Sequence, residues 1–187
     1  MTDAVLADRL HAGDRSLLKQ AGLVALGVAL LAVCAKIAVP MWPVPITMGT
    51  FAVLSLGAAY GPRLGLVTIL AYMGLGALGA PIFAGETAGI AYMIGGTGGY
   101  LVGYVLATLA LGLAARRGLD RSVGGMALAL LIGNALIYVP GLAWLGQLYG
   151  WDQPILQWGL TPFLVGDAIK LALAALLIPG LWRLARR

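Results

Sequence analysis

Asp167 and Lys170 stand three residues apart in an apolar run near the C-terminus, so a helix there carries a carboxylate and an ammonium on one face. Charge inside a bilayer-length apolar segment is costly, and it marks a functional site by default. Asn134, in the middle of another apolar run, and Lys36, near the end of a third, add an amide and a second ammonium. A mixed acid–base set of this kind suits a solute with both amide-like N–H donors and a carboxylate. The same Asp–Lys pair would also be explained by an ion pair that only ties its helix to a neighbour. A pair used only in that way is replaceable by apolar packing at little loss. Lys36 has a simpler alternative, a side chain that snorkels to the interface.

These groups need a membrane-embedded frame. Of the 187 residues, 61% are hydrophobic and only 10% are charged, against about 25% charged in soluble domains. The chain reads as an all-α polytopic membrane protein. Ten of its twelve Lys and Arg residues fall in four clusters: Arg9/Arg15/Lys19, Arg63, Arg116/Arg117/Arg121 and Arg183/Arg186/Arg187. Each interval between clusters is long enough for two passes of about 20 residues. Basic residues flank spans on the cytoplasmic side. The pattern predicts six transmembrane helices in one domain over residues 1–187, with both termini cytoplasmic and residues 1–16 a polar tail. The expected location is the cytoplasmic (inner) membrane.

The first helix is expected over Leu17–Val39. Three prolines between Pro40 and Pro45 exclude a helix there. A short second helix follows over Thr47–Tyr60, with an inner turn at Gly61-Pro62-Arg63 and a third helix over Leu64–Leu78. The Gly-rich segment Gly79–Gly99 forms the second outer connection. The fourth helix covers Gly98–Ala115. The fifth begins near Gly125 and continues past Pro140, which should kink it. The third outer connection is Gln147–Pro162, and the sixth helix runs from Pro162 or Phe163 to Trp182, with Pro at its start as is usual. The outer connections contain no Lys or Arg and are rich in Gly, Pro and aromatic residues. Irregular backbone near membrane depth survives only when it is buried in protein or lines a cavity, so a cavity open to the outside is expected.

Several function classes are excluded. The net charge of +5 is spent on the cytoplasmic ends of spans, so no nucleic-acid partner is expected. One cysteine, Cys34, and one histidine, His11 in the tail, leave no metal site. No Walker A lysine loop is present, so this chain is not expected to hydrolyse ATP. A membrane protease of the Ser/His type would need a histidine in a span. Residues 1–16 carry three Asp and are not expected to be a cleaved signal; Val5, Leu6 and Leu10 could make them a short amphipathic surface helix, or the terminus could fray. Ala21, Ala25 and Ala29 repeat every fourth residue in the inner half of the first helix. Such a smooth stripe either docks a partner helix or packs within the bundle. The aromatics Trp42, Tyr92, Tyr100, Tyr138, Trp144, Tyr149, Trp151 and Trp158 gather near the outer boundary, as interfacial belts also do.

Four motifs carry a resemblance: Val44-Pro-Ile-Thr-Met-Gly-Thr50, Gly79-Ala-Pro-Ile-Phe-Ala-Gly85, Thr97-Gly-Gly-Tyr-Leu-Val-Gly-Tyr104 and Thr161-Pro-Phe-Leu-Val-Gly-Asp-Ala-Ile-Lys170. In order and spacing they resemble the BioY family, the biotin-binding S components of energy-coupling factor (ECF) transporters. Two positions depart from that pattern: Gly49 stands where Gln is usual, and Gly96 where Pro is usual. The resemblance implies a non-enzymatic subunit that binds biotin at its outer side and needs no cofactor. Its site would be formed by Asp167, Lys170, Asn134 and Thr50, walled by Phe83, Tyr92, Tyr100 and Trp144. Its partners would be an ECF transmembrane coupling protein, ATPase subunits and membrane lipid, with a homo-oligomer left open. The stripe Ala21/Ala25/Ala29 would face the coupling protein. An S component for another vitamin, such as thiamin or riboflavin, is the nearest alternative.

Overall fold

The computed structural model describes residues 5–10 and 16–185. His11, Arg15, Arg186 and Arg187 lie outside the described residues, as does the side chain of Leu10. A short helix α1 (Leu6–Leu10) precedes α2 (Leu17–Lys36), a two-stranded ribbon of β1 (Ala38–Val39) and β2 (Ile46–Thr47), and α3 (Gly49–Ala77). Then follow α4 (Gly89–Ile94), α5 (Gly98–Arg116), α6 (Val123–Tyr149), α7 (Ile155–Gly159) and α8 (Leu164–Ala185). Five segments are long and apolar enough to cross a membrane: α2, α3, α5, α6 and the α7–α8 stretch Ile155–Leu184.

Within α3 the backbone breaks at Gly61, with φ 74° and ψ 178°, immediately before Pro62. Such a positive φ suits glycine because it has no Cβ. The break reverses the chain. Thr50 and Tyr72 line the same cavity, although 22 helical residues in line would rise about 33 Å. Gly57 and Gly65 both lie against Thr108 of α5. The segment is thus two antiparallel arms joined at the place where the sequence predicts a turn.

The first arm of α3 lies centrally, packed against α5, while α6 packs on the other side of α5. Gly103 lets α5 approach the backbone of α6 at Ile137, the small-residue route to close helix contact. α8 closes the bundle against α6 and α3, and α2 rests on α3. Leu54, Leu111, Leu130 and Ile137 fill the middle. α2 is the least packed of the five apolar segments, with 22% of its span buried.

Four sequence expectations are corrected. The first helix stops at Lys36 rather than Val39, because residues 38–39 pair in antiparallel register with 46–47. The second helix begins at Gly49 rather than Thr47, whose residue belongs to that ribbon. The outer connections contain the short helices α4 and α7. α6 continues past Pro140, as expected, but runs on to Tyr149, beyond the expected start of the third outer connection at Gln147.

At the end that carries the basic clusters, α1 buries Val5, Leu6 and Ala7 against α3 and α8. Trp182 of α8 donates its indole N–H to Asp120, in the turn between α5 and α6. The Arg121 guanidinium lies 5.0 Å over the Trp182 ring. Burial pushes the Asp120 carboxyl up from its ordinary range, opposed by the Trp182 N–H and by Arg121.

Candidate functional site

Lys170 and Asp167 occupy one face of α8, near its N-terminal end, as their spacing predicts. The Lys170 ammonium lies 2.8 Å from Asp167 Oδ1. It also donates to the Thr47 carbonyl at 2.7 Å and to Thr50 Oγ1 at 3.3 Å. An ammonium has three donors, and here all three are engaged. Asp167 Oδ2 accepts from the Tyr138 hydroxyl at 2.6 Å. Asp167 is 3% exposed and Lys170 7%, so the pair survives burial only because each charge has a partner and further hydrogen bonds.

This construction depends on the ribbon. Pairing of β1 with β2 sets Thr47 at the mouth of α3, where its carbonyl points at α8 instead of closing a helical turn. Irregular backbone thus serves as an acceptor for a buried cation, 123 residues away in sequence.

Above the pair lies a cavity walled by the ribbon, α3, α5, α6 and the outer connections. Thr50, Tyr92, Tyr100 and Lys170 line it, together with Tyr72, Tyr104, Tyr138 and Phe163. Lys170 is the one charged side chain in the lining among the described residues. The Tyr100 hydroxyl is committed to the Gly159 carbonyl at 2.8 Å. Tyr138 sits edge-on to both Tyr100 and Phe163. The enclosed free space is about 50 Å³, well below the ~300–1,000 Å³ of ordinary ligand pockets. A ligand of ordinary size therefore has to push the lining apart.

The remaining residues singled out in the sequence take other places. Asp167 is one layer back, behind Lys170 and Tyr138, and reaches the cavity through them. Phe83 is also behind the wall: its ring sits in the notch at Gly76, stacks on Tyr92 at 4.5 Å and meets Tyr72 edge-on. Trp144 is outside the lining, 38% exposed, and donates its N–H to the Gly95 carbonyl at 2.8 Å. Asn134 lies one turn below Tyr138, deeper than the lining, and its Oδ1 is buried without a hydrogen-bond partner among the described residues. Lys36 donates to the Gly85 carbonyl at 2.7 Å. Since Ala35 and Ala84 both line the cavity, Lys36 ties together two segments of its wall.

Tyr72, Tyr104, Tyr138 and Phe163 enter the lining although the sequence reading did not place them in the site. Two had a signal. Tyr104 follows Tyr100 by four residues on α5, and Tyr138 follows Asn134 by four on α6, so each shares a face with a candidate. The two departures from the family pattern also have a local explanation. A Cβ on Gly49 would meet the Tyr104 hydroxyl at 2.9 Å, and one on Gly96 would meet the Pro43 carbonyl at 2.8 Å. Tyr104 and the 40–45 loop occupy the space that larger residues would need.

The family model described as the BioY family matches residues 7–187. A probable biotin transporter BioY from Pyrococcus horikoshii is 42% identical over 159 residues, covering 85% of this chain and 93% of the relative. The biotin transporter BioY of Thermotoga maritima is 34% identical over 149 residues, covering 80% and 87%. Among solved structures, the S component for biotin from an ECF-type ABC transporter superposes with a TM-score of 0.76 at 23% identity, covering 89% of this chain and 92% of that one. That likeness shows the all-α fold of a multi-pass membrane protein.

Proposed function

The chain belongs to the BioY family, and we propose on that footing that it is the biotin-binding membrane subunit of a biotin uptake system. The observation that carries the proposal is the buried Lys170–Asp167–Tyr138 network at the base of an aromatic cavity, open at one end of the bundle. Biotin offers a cyclic urea, a thioether ring and a valerate carboxylate. The aromatic rings accept the apolar bicycle. Lys170 meets either the carboxylate or the urea oxygen by exchanging its longest bond, the one to Thr50. Asp167 pairs with Lys170 and holds the Tyr138 hydroxyl in place. Small-molecule sites are typically apolar with a few placed polar groups, and this lining has that composition.

The same reading makes six passes of the five apolar segments, counting the two arms of α3 separately, with both termini on the basic, cytoplasmic side. Neither arm alone reaches the usual 20 residues, which fits a span widened by the ribbon above it. Energy would come from an ECF coupling protein and its ATPases. The coupling protein would dock on Ala21, Ala25 and Ala29, which are exposed along α2. A stripe of exposed small residues on the least packed helix suits close approach by another helix.

Equilibrium binding of biotin to the purified protein in detergent tests the proposal, with thiamin and riboflavin as controls. The expected result is selective, near-stoichiometric biotin binding. Thiamin is a cation and would face the Lys170 ammonium, so it should bind poorly. Selective binding of either control, or no biotin binding by folded protein, would withdraw the substrate assignment.

A further inference from the structure

A second recess lies on the membrane-facing side, between α2 and the second arm of α3. Its walls are Ala21, Val24, Ala25 and Val28 on one side and Leu64 and Val67 on the other. It reaches along α2 from Leu17 to Ala32, about 22 Å of helix. One leaflet of the hydrocarbon core is about 15 Å deep. The groove is therefore long enough to hold an acyl chain from the headgroup level to the bilayer centre.

The chemistry changes at one end only. There Arg63 and Arg116 line the groove beside Gln20. Asp8 also faces this mouth, and its Oδ2 accepts the Val5 N–H at 3.0 Å. Among the described residues, two guanidinium groups against one carboxylate leave the mouth net positive. The buried Arg116 Nε meets no acceptor among those residues. A buried donor without an acceptor is costly, and a phosphate oxygen is the acceptor that a guanidinium suits best. Apolar walls continuous with a basic mouth describe an amphiphile with an anionic head. A soluble anion would use the arginines and leave the apolar length bare.

We propose that this groove holds an anionic phospholipid, with its phosphate on Arg63 and Arg116 and one acyl chain along the seam between α2 and α3. The groove includes the alanine stripe. If a coupling protein docks there, as the functional reading above has it, the lipid must leave first; lipid retention itself is measurable without any partner.

The test is native mass spectrometry of the purified full-length protein, after detergent extraction, with phosphatidylglycerol or phosphatidylcholine added back. Wild-type protein is expected to retain one phosphatidylglycerol in preference to phosphatidylcholine. Removing both charges in Arg63→Gln/Arg116→Gln should lower that retention about thirtyfold, from roughly fivefold per basic residue. Val67→Trp fills the groove with both arginines intact and should also abolish retention, so the test stands even if the double variant fails to fold. Thermal unfolding of each variant confirms that it is folded. Equal retention of the two lipids by wild type would overturn the proposal. So would unchanged retention in folded Val67→Trp, or binding of inorganic phosphate with no lipid preference.

Discussion

At the end of the bundle that holds Lys170, the backbone leaves helical geometry for long stretches: the ribbon between α2 and α3, the segment around α4, and the segment around α7. At the end that holds Asp120, the chain reverses within a few residues, at Gly61-Pro62 and at Gly118–Ser122. Both ends bury a carboxylate. Asp167 is matched by a cation and a hydroxyl, in contact with a cavity. Asp120 has one oxygen on the Trp182 N–H and the other without a hydrogen bond among the described residues. The contrast teaches that burial of charge alone does not make a site. What separates the two ends is irregular backbone that supplies acceptors and leaves space. Changes at the first end should act on ligand affinity, and changes at the second on stability and coupling.

Lys170→Ala tests that division most severely. It removes the one lining charge and leaves Asp167 buried without its cation. Loss of such a contact costs about 2–5 kcal/mol, or roughly 30- to 5,000-fold in biotin affinity by isothermal titration. Asp167→Asn keeps an acceptor for Tyr138 but weakens the hold on Lys170. It should raise the dissociation constant at least about tenfold, a floor below that range because the amide still holds Tyr138. Wild-type affinity in either folded variant would remove the network from the site.

Ala25→Trp should do the opposite. It lies on α2 away from the cavity, so affinity should stay within about twofold, inside ordinary surface effects. Overpacking of a helix–helix contact costs about 1–3 kcal/mol, which would cut uptake in cells about five- to 150-fold. Normal uptake by this variant, in cells whose uptake demonstrably needs the energising module, would show that the stripe is not where coupling occurs.

Gly61→Ala probes the inner turn. Its φ of 74° is strained for any residue with a Cβ, and that Cβ would meet Val5 Cγ1 at 3.1 Å. A loss of about 1–3 kcal/mol in stability is expected, read by thermal unfolding, with biotin affinity of the folded fraction unchanged. A drop in affinity equal to that of Lys170→Ala would mean that the two ends are mechanically linked and that the division is wrong.

The reach of sequence reasoning followed the same line. Apolar runs and basic clusters marked the long helices and the turn at Gly61, because bilayer length and helix-breaking residues are local properties. Helical spacing placed Asp167 and Lys170 on one face for the same reason. The partners of Lys170 were not legible, since Thr47 reaches it only through ribbon pairing and chain reversal, both tertiary events. Trp144 and Phe83 had the right residue type at the right depth. Rotation about α6 carries Trp144 to Gly95, and the notch at Gly76 draws Phe83 behind Tyr92. Depth can be counted along a helix, whereas facing depends on which neighbour offers a gap.

Lys36 gives the smallest and most discriminating effect. Like Lys170 it is a lysine at the end of an apolar run, but its side chain is exposed and, among the described residues, makes one hydrogen bond, to the Gly85 carbonyl. A single exposed hydrogen bond contributes about 0.5–1.5 kcal/mol. Lys36→Met should therefore shift the biotin dissociation constant by no more than about tenfold. The contact joins the wall near Ala35 to the wall near Ala84, and the cavity must widen to admit a ligand. Loss of the tether lowers the barrier to widening in both directions. Association and dissociation, followed by stopped-flow tryptophan fluorescence, should both accelerate while their ratio changes little. A fall in affinity as large as that of Lys170→Ala, with association unchanged, would instead make Lys36 a second cation in contact with the ligand.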